Sequence, residues 1–352
     1  MKAVLLAGGF GTRLRPLTLD TPKPIVPIFD RPFLYYQIDL LRSFAEVDEV
    51  ILSLNYQPDA IEAVVGDGRE TGLRIRYVVE PTPLGTGGAV KFSERYLDGT
   101  VVVLNGDVLT GIDLGAVIDL HRSRHARATI VLTAVDNPSD YGLVETDSNG
   151  NVRRFLEKPD PNEVTCDTIN AGVYVLEPDT FDLIPPNTKY SIERRYFPSL
   201  IDRQETFVAY IDDSYWLDIG TSQKYIQAHR DIMDGRCSAA PFTGLLAGSS
   251  IIDPTAVVEA SARLAEPCYI GPGARVGIGA NIGAHSVVSA SSIVGDYATV
   301  DGSILWPDCR VGADAVVSNS VIGRRSRVEA NAVVGPDSVL GDDSVVTNYS
   351  KV

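Results

Sequence analysis

Gly8, Gly9 and Gly11 stand directly ahead of Arg13 and Arg15, and Lys23 follows between Pro22 and Pro24. Glycines let backbone N–H groups close around phosphate oxygens, and guanidinium and ammonium groups then neutralise the charge. A triphosphate is the natural tenant. A tight strand-to-helix turn has the same glycine composition, with its arginines solvated. Lys23 favours the phosphate reading, because prolines on both sides hold a backbone that a flexible loop would leave wandering. Two carboxylates extend the pattern: Asp107 follows the apolar run TVVVLN, and Asp218 sits in SYWLDIGT. With a triphosphate they could hold Mg²⁺, which prefers hard oxygens and completes its shell with phosphate and water. Either aspartate alone could equally be a helix cap or a turn residue. His285 is the only histidine after residue 250. As a lone base for acyl transfer it would need a positioned partner, so an exposed turn residue is the simpler reading.

These residues need elements to carry them. Up to about Gly235, short apolar runs alternate with amphipathic stretches, the pattern of parallel strands joined by crossover helices. The order is strand KAVLLAG, a helix from Pro32 to Ala45, strand DEVILSLN, a helix near Asp59 to Val65, strand IRYVVE, a helix near Ala89 to Leu97, and strand TVVVLNGD. A doubly wound α/β sheet is expected, its ligands beyond the carboxyl ends of the strands. Later runs such as ATIVLTAV, YGLVETD and INAGVYVLE extend it and form an antiparallel flap. After a small-residue linker, aliphatic residues recur every six positions from Ile252 through Val258, Leu264 and Ile270 to Val300. The frame slips near Trp306 and resumes at Ile322. One inward aliphatic residue per short strand, with a glycine turn beside it, predicts a left-handed parallel β-helix. The divisions expected are 1–235, a linker at 236–250, and 251–352.

Composition narrows the function. The 352 residues suffice for two domains with cores of their own, and a net charge of −15 repels polyanions, which excludes nucleic-acid polymers as partners. No apolar run reaches the ~20 residues needed to span a bilayer, so no membrane role is expected. The N-terminal apolar run leads into the glycine loop and reads as a buried strand, not a signal peptide. Cys166, Cys237, Cys268 and Cys309 lie far apart, without zinc or disulfide spacing, which fits a cytoplasmic protein.

In order and spacing, GGFGTRLRPLT, TPKP, PLGTGG, NGDVL, YGLVE, EKP, INAG and WLDIG closely resemble the nucleotide-sugar pyrophosphorylases, and the hexapeptide tail resembles the mannose-1-phosphate guanylyltransferase branch. The resemblance implies a Rossmann-like nucleotidyltransferase domain with a mixed sheet of the GT-A kind, followed by the β-helix. It assigns Arg13 and Lys23 to the phosphates as catalytic residues, and Asp107 and Asp218 to catalysis and Mg²⁺. Leu6, Ala7, Gly8, Gly9, Gly11, Thr12, Arg13, Gly106 and Asp107 would line the nucleotide, with Leu84, Gly85 and Thr86 beside the base. Gly142, Glu157, Lys158 and Asn170 would surround the sugar phosphate. The implied reaction joins an NTP to a sugar 1-phosphate and releases pyrophosphate, with GTP and mannose 1-phosphate as substrates and guanine read by backbone groups near Leu84 to Thr86. Alternatives are dTTP or UTP with glucose 1-phosphate, or a regulatory subunit that binds nucleotide-sugar without turnover. The flat faces and open ends of a β-helix point to a homo-oligomer.

Overall fold

Ala3, Val4 and Leu5 of strand β1 (Lys2–Leu6) are wholly buried, as expected of a strand covered on both faces of a parallel sheet. The computed structural model describes all residues, 1–352. It divides into two compact units, Met1–Gly9 with Gln37–Trp216, and Phe10–Tyr36 with Leu217–Val352.

In chain order the elements up to Met233 are β1, β2 (Pro27–Ile28), β3 (Arg31–Pro32), α1 (Leu34–Arg42), β4 (Glu49–Leu54), α2 (Pro58–Val65), β5 (Arg74–Val79), α3 (Gly85–Ser93), β6 (Val101–Asn105), β7 (Val108–Thr110), α4 (Leu114–Ser123), β8 (Ala128–Ala134), β9 (Gly142–Thr146), β10 (Val152–Glu157), β11 (Thr168–Leu176), α5 (Phe197–Asp202), β12 (Phe207–Ile211), β13 (Trp216–Asp218) and α6 (Ser222–Met233). The first unit holds a nine-stranded mixed sheet with the path β10-β9-β11-β6-β1-β4-β5, and β8 branches from β11 and carries β12 on its other edge. β1 lies parallel between β4 and β6, while β11 runs antiparallel to β6. Val4, Ile51, Val103, Ile130, Tyr174 and Phe197 belong to its core.

α3 begins at Gly85, earlier than the periodicity near Ala89 to Leu97 predicts. The reason is packing. A Cβ on Gly85 would lie 2.8 Å from the Tyr190 carbonyl oxygen, and one on Gly88 would lie 2.6 Å from that of Thr188. The glycines that look like a loop form the first turn of a helix pressed against another backbone.

In the second unit, the strands from β14 (Ile251–Ile252) to β30 (Val345–Val346) form three parallel sheets, the three walls of a left-handed β-helix. Ile270, Val276, Ile282, Val288, Val294 and Val300 fill its interior. Residues eighteen apart pair at first, as Val276 does with Val294. From Val287↔Ile304 to Val316↔Val333 the interval is seventeen, and at Val321↔Val339 it is eighteen again. Two corners have each lost one residue, between Val300 and Leu305 and between Val317 and Ile322. That is the frame slip visible in the sequence, resolved into two events with Val311 and Val317 still buried between them. Residues 236–250 carry no helix or strand, yet Phe242 is buried with its ring 5.1 Å from that of Phe29. No helix is long and apolar enough to cross a membrane.

Candidate active site

In the first unit, the carboxyl ends of β1 and β6 lie side by side. Gly106 donates its amide to the Leu6 carbonyl at 3.0 Å, and a Cβ on Gly106 would stand 2.4 Å from that oxygen, so only glycine fits. Asp107 follows in the turn after β6, half-buried at the end of the strand. Ala7 donates its amide to the Ser53 carbonyl at 3.0 Å, and Gly8 rests against Asn55, while Gly9 is exposed with open space where a side chain would be.

Glu80, which the sequence reading passed over, holds the start of α3. Its Oε2 accepts from the Leu84 amide at 2.7 Å and its Oε1 from the Ser53 hydroxyl at 3.0 Å. Burial pushes its carboxyl above the usual carboxylate range, against the pull of those two bonds. Leu84 in turn accepts from the Tyr190 amide at 2.8 Å, and the Tyr190 carbonyl takes the amides of Gly87 and Gly88. The Leu84 amide is therefore engaged within the protein, and its carbonyl already accepts one bond. Thr86 Oγ1 accepts from the Ile192 amide at 2.9 Å and donates to Glu193 Oε2 at 2.8 Å, where Ser191 also donates at 2.6 Å.

Glu193 also connects this loop to the residues expected around a sugar phosphate. Gly142 and Glu157 are register partners across the β9–β10 pair. Burial raises the Glu157 carboxyl, and the negative charge of Glu193 raises it further, while Lys158 and Arg194 oppose. Lys158 is exposed in a left-handed conformation, φ 54°, with its amide donated to the Tyr141 carbonyl at 2.9 Å. Asn170 donates to the buried Tyr174 hydroxyl at 2.8 Å and accepts from the Gly172 amide at 2.9 Å, at an irregularity in the β11–β8 register. Glu157 and Glu193 both act on Tyr174, so Gly142, Glu157, Asn170 and Glu193 form one cluster.

The second unit gathers the cationic residues. Gly11 adopts φ 61° ahead of a single 3-10 turn, Thr12–Leu14, and accepts from the Thr18 hydroxyl at 2.8 Å. A Cβ on Gly11 would lie 3.1 Å from the Lys23 Cβ, so the glycine loop passes directly over the lysine. Lys23 opens its own 3-10 turn, Lys23–Ile25. Gly220 stands between Arg13 and Asp218: a Cβ there would be 3.0 Å from the guanidinium carbon and 2.9 Å from Asp218 Oδ2. Asp218 Oδ1 is paired with Lys224 of α6. Nothing in the spacing announces Lys224, because a lysine six positions after an aspartate is unremarkable until β13 turns into α6.

His285 forms a 2.7 Å contact with Asp234, just beyond α6, and occupies a β-helix corner at φ 59°. It is half-buried there, tied to the residue after α6, and is not the exposed residue expected. No group of three or more histidines, cysteines or acids is arranged to hold a metal ion. Asp107 and Asp218 each offer hard oxygen donors of the kind that Mg²⁺ takes, an ion commonly held by one or two carboxylates with phosphates and waters completing the shell.

The family described as "Nucleotidyl transferase" matches residues 2–235. The chain belongs to the nucleotidyl transferase family. As a member it is an enzyme of nucleotidyl transfer. Residues 264–352 of this nucleotidyl transferase match a second family, described as "GMPPB C-terminal domain". A mannose-1-phosphate guanylyltransferase of Mycobacterium tuberculosis is 39% identical over 280 residues, 78% of this chain and 77% of that one. A UTP–glucose-1-phosphate uridylyltransferase of Synechocystis is 33% identical over 328 residues, 89% of this chain and 84% of that one. Among solved structures, HddC from Yersinia pseudotuberculosis complexed with GMP-PN has a TM-score of 0.56 and 31% identity, covering 64% of this chain and 97% of that one.

Proposed function

We propose that this nucleotidyltransferase transfers the guanylyl group of GTP to mannose 1-phosphate, giving GDP-mannose and pyrophosphate. The observation that carries this reading is Glu80 at the start of α3, whose two carboxylate oxygens each accept one internal bond and each keep a further lone pair. Guanine presents adjacent N1–H and N2–H donors, which a carboxylate accepts side by side. Thymine and uracil present one N–H between two carbonyls, and those carbonyls repel a carboxylate. Adenine offers a single amino group. The relatives named as guanylyltransferases support the same base and sugar.

In this reading Arg13 and Lys23 hold the triphosphate. Leu6, Ala7, Gly8, Gly9, Gly11, Thr12, Gly106 and Asp107 line the nucleotide, and Leu84, Gly85 and Thr86 flank the base. Gly142, Glu157, Lys158 and Asn170 hold the sugar phosphate, Glu157 accepting hydroxyls while Lys158 meets the phosphate. Asp107 and Asp218 would hold Mg²⁺, which supplies charge neutralisation on the phosphates. The sugar phosphate is already an oxyanion near neutral pH and attacks the α-phosphorus in line, so no protein nucleophile is required. Positioning and electrostatics carry the rate, with Arg13 and Lys23 facing charge that grows on the departing pyrophosphate. Residues 1–235 are read as catalytic, 236–250 as a linker and 251–352 as the assembly element of a cytoplasmic homo-oligomer.

A matrix of five NTPs against several sugar 1-phosphates, with pyrophosphate release as the readout, tests the substrates. GTP with mannose 1-phosphate is expected to give the highest kcat/KM. A preference for dTTP or UTP with glucose 1-phosphate would overturn the base and sugar while leaving the reaction class.

A further inference from the structure

The turn after Lys23 is held in large part by α6 and the β-helix of its own unit. Tyr225 of α6 is fully buried, and its hydroxyl donates to the Pro27 carbonyl. That hydroxyl accepts in turn from the indole N–H of Trp306, a wholly buried β-helix residue, at 2.9 Å. Two residues further on, Phe29 adopts a left-handed backbone, φ 56°, which a bulky side chain holds only under outside constraint. The constraint is visible. The Phe29 amide donates to His229 Nε2 at 3.0 Å, and the ring lies 5.1 Å from that of Tyr269. Asp30 accepts from the Tyr269 hydroxyl and the Ala290 amide, both at 2.9 Å, over Gly271, where a Cβ would sit 2.3 Å from the carboxylate.

The same set of side chains reaches back to the chemistry. Tyr225, Lys23, Ile28 and Ile219 line one small pocket, and Ile219 adjoins Asp218. α6 begins just after Gly220 and carries Lys224, the partner of Asp218.

We propose that the β-helix is a positioning element of the phosphate-binding machinery, and that Trp306 acts through Tyr225 and Pro27 to fix the Lys23 turn. This rests on the reading of Lys23 as a phosphate residue. An assembly domain alone would have no need to fasten the Pro27–Pro32 hairpin. A buried hydroxyl that both accepts from the β-helix and donates to the hairpin transmits position from one to the other, since moving either end leaves a buried polar group unpaired.

The test uses the full-length chain with Tyr225→Phe, Trp306→Phe and the double variant, which replaces both polar side chains by apolar rings and so leaves neither of them unpaired if a single variant is unstable. Amide hydrogen exchange is read first. The amides of Ile25 and Val26, bonded within the Lys23 turn, should exchange about tenfold faster in Tyr225→Phe. In turnover, kcat should fall about tenfold while KM for the sugar phosphate stays within about twofold. The double variant should be no worse than the worse single one, because both changes break one chain. Unchanged exchange at residues 25 and 26, a wild-type kcat in folded variants, or additive losses would each overturn the proposal. A wild-type chain that turns over no substrate pair would overturn the function instead, and exchange at the turn would still decide the link.

Discussion

Glu80 is the residue on which base choice turns in this reading. Glu80→Gln keeps an acceptor for the Leu84 amide but offers guanine one acceptor where the carboxylate offers two. Its kcat/KM for GTP should fall about 10- to 100-fold, with the margin over UTP narrowing in the same substrate matrix. A loss shared equally by GTP and UTP would mean that Glu80 supports the loop without reading the base. Arg13→Ala should lower kcat more than it raises KM for the sugar phosphate, because in this reading the guanidinium, which shares Gly220 with Asp218, meets the phosphates. Asp107→Asn and Asp218→Asn should each remove most turnover in saturating Mg²⁺ while the melting curve stays cooperative. Arg13 and Lys23 were legible as candidates because cations among glycines and prolines have few structural uses. Glu80, Glu193 and Lys224 were not. Each is a single charged residue with no motif of its own, and it becomes significant only when folding brings it against Leu84, Thr86 or Asp218.

α6 and the Pro27–Pro32 hairpin belong together at the scale of elements, and His229 gives them a pH dependence. Burial pulls its pKa down to about 4, against 6.5 for the free side chain. The unfolded chain therefore takes up a proton below about pH 6.5 that the folded chain refuses until about pH 4. Stability contributed by neutral His229 is present above pH 6.5 and is lost as the pH falls between those values, by about 1.4 kcal/mol per pH unit. His229→Gln, which retains an acceptor for Phe29 and cannot be protonated, should flatten that part of the denaturant-midpoint profile. An unaltered slope would place the acid sensitivity elsewhere, with His121, also lowered chiefly by burial, the next residue to change. Gly88→Ala should destabilise the first unit by about 1–3 kcal/mol, because the new Cβ meets the backbone of Thr188. The strands of both units could be read from apolar period, since period is a local property. The start of α3 could not, because its glycines answer to Tyr190, about a hundred residues away.

For the whole molecule, the second unit changes what truncation should do. From the sequence, cutting after Gly235 leaves every chemistry-bearing motif and a domain able to bind nucleotide. In the structure that cut removes Trp306, Tyr269, Ala290 and Phe242, the partners of Tyr225, Asp30 and Phe29. The shortened chain should lose cooperative melting of the Phe10–Tyr36 segment and most of its turnover, which calorimetry and pyrophosphate release would reveal. A truncated chain with full kcat would confine the β-helix to assembly. The β-helix was legible because a strict six-residue apolar period suits short strands coiled into a triangular stack and suits neither a helix nor a sandwich. Its hold on the Lys23 turn was not, since no local pattern connects Trp306 with Pro27. The two shortened corners bring a further consequence. Gly302 and Asn319 lie at them, and Arg230 of α6 donates to Asn319 at 2.9 Å. A surface of identical coils would offer α6 several equivalent berths, each displaced by the ~4.8 Å strand spacing. The missing residues remove that translational degeneracy: they mark two successive coils as different from the rest, and a helix docked against that pair has no equivalent second place to slide.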